Sequence, residues 1–95
     1  MRPSDPEQDP VVRDLRERIT AVDHTILEAA NTRLELVREL REHKIAQGWD
    51  FVDPGREERM LDALARANPG PLSEEAVRQL FIDLLALTKR ELASD

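Results

Sequence analysis

Residues 11–47 contain neither proline nor glycine, and this uninterrupted stretch constrains the chain more than any other feature. Proline costs a helix interior a hydrogen bond and a clash, and glycine costs it backbone entropy. A run without either, rich in Leu, Arg, Glu and Ala, reads as one helix. Asp9 is placed to cap it, Pro10 suits its first position, and Gly48 marks its end. Apolar residues recur at Leu15, Ile19, Val22, Ile26, Ala30, Val37 and Leu40, in steps of three and four apart from one gap. About 37 residues at ~1.5 Å each make a rod of about 55 Å. A globular chain of this size has a radius of gyration of only about 12–13 Å. The rest of the 95 residues cannot cover such a rod, so a second copy of the chain is expected to pack on it.

Two shorter helices follow. Asp53-Pro54 repeats the cap-plus-proline signal, and a helix is expected from there to about Ala67 with Met60, Leu61 and Leu64 inward. Asn68-Pro69-Gly70-Pro71 is a stop. Ser73 is placed to cap a third helix, with Glu74 and Glu75 favourable in its first turn and Val77, Leu80, Phe81, Leu84 and Leu85 on its inner face. The fold class expected is all-α: three helices per chain, one very long and two shorter, in an intertwined helical homodimer. Residues 1–9 read as a disordered tail and 10–95 as one domain.

Composition excludes several functions. A formal charge of −6 argues against nucleic acid or an anionic membrane as partner. Without cysteine there is no disulfide or thiolate metal site, and His24 and His43 are too few for a histidine-rich one. No apolar run approaches a membrane span, and the start of the chain lacks a signal peptide's apolar core, so the expected location is the cytoplasm.

Cations interrupt the apolar stripe. With Leu15 set at 0°, Arg33 projects to about 0°, Lys44 to about 20° and Arg16 to about 100°. The positions one turn from Arg33 are Ala29, Ala30, Leu36 and Val37. Arg56 and Glu57 precede Met60 and Leu61 by a turn, which places them on the inward side, and Thr88 continues the line of Val77, Phe81 and Leu84. One such cation is ordinary snorkelling, its stem on the core and its head in water. Several of them, on more than one helix of an acidic protein, suggest a small polyanion, and the arginine fork suits carboxylates. His24 and His43 project away from the stripe and carry no expected role. No nucleophile–base arrangement, HExxH or phosphate loop is present, so any reaction should depend on positioning and electrostatics.

The segment Leu15-Arg16-Glu17-Arg18-Ile19-Thr20-Ala21-Val22-Asp23 resembles the opening of the all-helical (type II) chorismate mutases, in their small monofunctional bacterial form. Arg16, Arg33 and Lys44 match that family's cation series with spacings of 17 and 11 residues. Asp53-Pro54-Gly55-Arg56-Glu57, beginning nine residues after Lys44, resembles its Asp-x-x-Arg-Glu loop. The resemblance covers nearly the whole chain after the tail. It implies an isomerase of aromatic amino acid biosynthesis that converts chorismate to prephenate without a cofactor or metal.

Residue by residue, the resemblance implies that Arg33 holds one substrate carboxylate. Arg16 would reach into the partner's site, so that active sites are shared. Lys44 would hydrogen-bond the ether oxygen, Arg56 would help bind substrate, Asp53 and Glu57 would meet the ring hydroxyl, and Thr88 would contact a carboxylate. Leu92 departs from the pattern: it stands where many members carry Gln or Glu as a second donor to the ether oxygen, with Glu91 as the neighbouring alternative. Some small actinobacterial members with an apolar residue near here are weak alone and stimulated by the synthase that opens the shikimate pathway, which makes that synthase a candidate partner. Three competing readings are a 4-amino-4-deoxychorismate mutase, similar at Pro54-Gly55-Arg56; an isochorismate pyruvate lyase; and a non-catalytic helical dimerisation module.

Overall fold

The computed structural model describes residues 5–95, as three α-helices and one short 3-10 turn. Within the stretch read as a tail, Asp5 accepts from the Glu7 amide at 3.0 Å and caps the turn Pro6–Gln8; residues 1–4 lie outside the described residues. The chain divides after Val37 into two compact units.

In the first unit, the Asp9 carboxylate accepts from the amides of Val11 and Val12 at 2.8 and 3.2 Å, which satisfies two of the free donors at the start of helix α1 (Pro10–Ala46). The helix runs its expected length because nothing in it breaks the ladder. Its stripe is not inward in the single chain: no residue of α1 is buried, and Leu15, Ile19, Val22 and Ile26 are each about half exposed or more.

The second unit holds the last turns of α1 and helices α2 (Arg56–Ala67) and α3 (Glu74–Ala93). Helix α1 ends in a Schellman motif. Gly48 takes φ 75°, its amide donates to the Ile45 carbonyl, and the Trp49 amide donates to the Lys44 carbonyl at 2.9 Å. The chain thereby folds back, and the Trp49 ring meets His43 edge-on with centroids 6.0 Å apart.

Helix α2 begins later than the Asp53-Pro54 signal suggests. Gly55 at φ 84° is its N-cap, and a turn closed by the Arg56 amide on the Asp53 carbonyl precedes it. A glycine in the left-handed region lets the chain turn once more before the helix starts. Arg56 and Glu57 therefore occupy the first turn and are exposed, which corrects their expected inward placement. The stop after Ala67 is held by Asn68, whose side chain accepts from the Gly70 amide and donates to the Leu72 carbonyl at 2.7 Å. Ser73 caps α3 by accepting from the Ala76 amide at 3.1 Å.

Helices α2 and α3 pack on each other. Val77, Thr88 and Leu92 are the buried residues of α3, while Met60, Leu61, Leu64, Phe81, Leu84 and Leu85 are partly covered. Leu80, expected on the inner face, is exposed, on a helix whose buried positions are Val77, Thr88 and Leu92. Arg78 ties the pair together, donating to Asp62 at 2.8 Å and to Glu74 at 3.0 Å.

Candidate active site

Lys44 sits on the last turn of α1, partly buried, and the capping motif positions it. The same return of the chain that caps its carbonyl brings the Phe51 carbonyl to 3.5 Å from its ammonium. This long contact engages one of three protons, so the cation keeps donors for a ligand.

Helix α3 contributes Thr88 and Leu92, both buried. The Thr88 hydroxyl donates to the Leu84 carbonyl at 2.8 Å, a local bond that fixes its rotamer. The end of α3 is fastened to the end of α1. Arg38 makes a two-pronged contact with the Asp95 carboxylate at 2.9 and 2.8 Å, Arg41 lies 3.8 Å from it, and Arg41 also donates to the Leu92 carbonyl at 3.1 Å. The hydrogen bonds from Arg38 hold the Asp95 carboxyl below the ordinary carboxylate range, with the charges of Arg38 and Arg41 acting the same way and partial burial opposing them.

The first turn of α2 meets α3 through charge. Lys89 lies 2.8 Å from Glu57, and Arg59 lies 3.3 Å from Asp53. Both acids singled out in the sequence are thus already paired with cations of this unit. Arg56 is exposed and, among the described residues, makes no ion pair. The second unit thus contains the α1 end bearing Lys44, Asp53 in the turn before α2, Glu57 in the first turn of α2, and the α3 turns bearing Thr88 and Leu92.

The other two candidates belong to the first unit. Arg16 is exposed and paired with Glu7 of the 3-10 turn. Arg33 is partly buried on α1.

The family model for chorismate mutase type II matches residues 15–91. The chain belongs to this family. It is similar to two structures of a chorismate mutase from Thermus thermophilus. Form I is 34% identical with a TM-score of 0.76, over 81% of this chain and 96% of that one. Form II is 33% identical with a TM-score of 0.77, over 83% and 90%. Comparison with curated proteins finds no match. The family and these neighbours make the chain an enzyme of the isomerase class, all-α like the mutases it resembles.

Sequence reasoning missed Arg38, Arg41, Arg59, Lys89 and Asp95. Charged residues are common throughout the chain, and nothing in their local spacing separates these from solvated surface. Their partners lie on other elements, so only the folded chain reveals them. Among the described residues no group of three or more His, Cys, Asp or Glu is arranged to hold a metal, and no helix is long and apolar enough to cross a membrane.

Proposed function

We propose that this chorismate mutase family member converts chorismate to prephenate by an intramolecular Claisen rearrangement, as a cytoplasmic homodimer with shared active sites. The observation that carries the reading is Lys44, a partly buried ammonium set by a helix cap in a chain of this family. The reaction breaks the bond between the ring and the ether oxygen while a new carbon–carbon bond forms. It needs no proton transfer to or from the protein. Two demands remain: the enolpyruvyl arm must be folded over the ring, and negative charge growing on the ether oxygen must be stabilised.

Arg33 and the partner's Arg16 answer the first demand by gripping the two carboxylates, with Thr88 and Arg56 assisting. Arg16 gives up its contact with Glu7 in doing so, and Thr88 turns its one hydroxyl proton from the Leu84 carbonyl to the carboxylate. Lys44 answers the second, because a fixed cation near the ether oxygen acts more strongly as charge develops. Asp53 and Glu57 orient the ring through its hydroxyl. Leu92 supplies no donor, so Lys44 carries the ether oxygen without a second side chain from that position.

The dimer is supported by the exposed stripe of α1. Leu15, Ile19, Val22 and Ile26 lie along one face, and a contiguous apolar strip of that length is unusual on a monomer. A two-fold partner presenting the same strip covers it.

Binding of a bicyclic transition-state analogue tests the reading. The analogue should raise the melting temperature of the wild type by several degrees and that of Lys44→Ala by much less. Equal shifts for both proteins, or none for either, contradict the assignment of this site.

A further inference from the structure

Asp53 and Glu57 form an acidic corner, and each acid is matched by a cation. Lys89 contacts Glu57 at 2.8 Å and Arg59 contacts Asp53 at 3.3 Å. Neither pair follows from helix spacing. Lys89 comes to Glu57 from another helix, and Arg59 reaches back over the Gly55 turn to Asp53. The acids are about half exposed and the cations about two-thirds, so folding alone gains little from either pair. What the pairs do change is the charge of the corner.

We infer that Lys89 is a specificity-determining residue: by pairing with Glu57 it selects substrates whose ring carries a neutral hydroxyl over those whose ring carries an amine. The inference rests on the proposed reading, in which Glu57 meets the ring substituent. A hydroxyl donates one hydrogen bond to a carboxylate and is indifferent to a cation on the carboxylate's other oxygen. An amine at that ring position is protonated at neutral pH. An unpaired Glu57 would attract this ammonium as an ion partner. With the Lys89 ammonium already 2.8 Å away, the acid's charge is partly offset and a second cation meets repulsion. Discrimination of this kind works by making the wrong ligand worse rather than the right one better. Arg59 acts on Asp53 in the same sense.

The test is competition. The inhibition constant of the 4-amino analogue against chorismate, divided by the Michaelis constant for chorismate, is measured at low ionic strength. The proteins are wild type, Lys89→Met and Lys89→Arg. Lys89→Met should lower that ratio about two- to fivefold in favour of the amine, the range a partly exposed ion pair supports. Lys89→Arg should keep the wild-type ratio, because it restores the cation. Added salt should shrink the difference between Met and wild type, since these charges are screened. A ratio unchanged in Lys89→Met overturns the inference, and so does an equal fall in Met and Arg variants, which would point to packing rather than charge. A wild type that consumes chorismate while showing either result leaves the proposed function standing and removes only the role of Lys89. A wild type with no turnover of chorismate removes both.

Discussion

Leu92 occupies a buried turn at the end of α3, 7% exposed, with its carbonyl held by Arg41. Its side chain cannot donate a hydrogen bond, so the wild type should be slow for its family. We predict that Leu92→Gln raises turnover about threefold to thirtyfold, short of the hundredfold or more that a preorganised oxyanion donor supplies. The gain belongs in kcat rather than KM, because the charge it meets arises only in the transition state. Burial adds a second expectation: a Gln without a partner there costs about 1–3 kcal/mol, so the variant should melt lower and recover when an analogue binds. A Gln variant slower than wild type contradicts the placement of Leu92 at the ether oxygen. At this scale, Lys44 and Thr88 stood out in the sequence because a polar group on an apolar face is anomalous. Lys89 and Arg59 did not, because a charge among charges is anomalous only once its partner is known.

Helix ends account for much of the site's geometry. Gly48 at φ 75° folds the chain back over Lys44, and nothing lies within 4 Å of where a Cβ would stand. Gly48→Ala therefore costs backbone strain alone, about 1 kcal/mol, which in a domain of this size lowers the melting temperature by roughly 4–8 °C. Trp49 is the single tryptophan of the chain, so its fluorescence reports any displacement from His43 in the same sample. The clamp of Arg38 and Arg41 on Asp95 makes the end of α3 sensitive to acid. Asp95 titrates lower in the folded protein than in the unfolded chain. Its stabilising effect is thus complete above the ordinary carboxylate range near pH 4, and is lost as pH falls through that range and through the depressed folded value. Melting curves of wild type should decline across that window more steeply than those of Asp95→Asn, and parallel curves would show that the clamp contributes nothing. The helix starts at Asp9 and Ser73 were legible because capping is local chemistry. The start of α2 was misplaced by two residues because Asp53-Pro54 is equally good chemistry for the turn that Gly55 adds before the helix.

For the whole molecule, the long proline-free and glycine-free stretch made the very long first helix of an all-α chain legible in the sequence, and the family match agrees with that fold class. Among the described residues the α1 stripe stays exposed, and in the proposed dimer a second copy of the chain covers it. Shared sites predict complementation. A heterodimer of Arg16→Ala with Arg33→Ala holds one intact site and one doubly damaged site, so mixing and refolding the two inactive variants should restore part of the activity. No recovery, with heterodimers present by native mass spectrometry, places Arg16 in its own chain's site. The central claim is that this helical chain rearranges chorismate through a fixed cation at Lys44. Its most direct test is the ultraviolet loss of chorismate, with prephenate identified as product, measured for wild type and Lys44→Ala in chelator-treated buffer. The account predicts turnover by wild type and a loss of about a hundredfold or more in kcat for the variant. No prephenate from wild type, or equal rates for the two proteins, would contradict it.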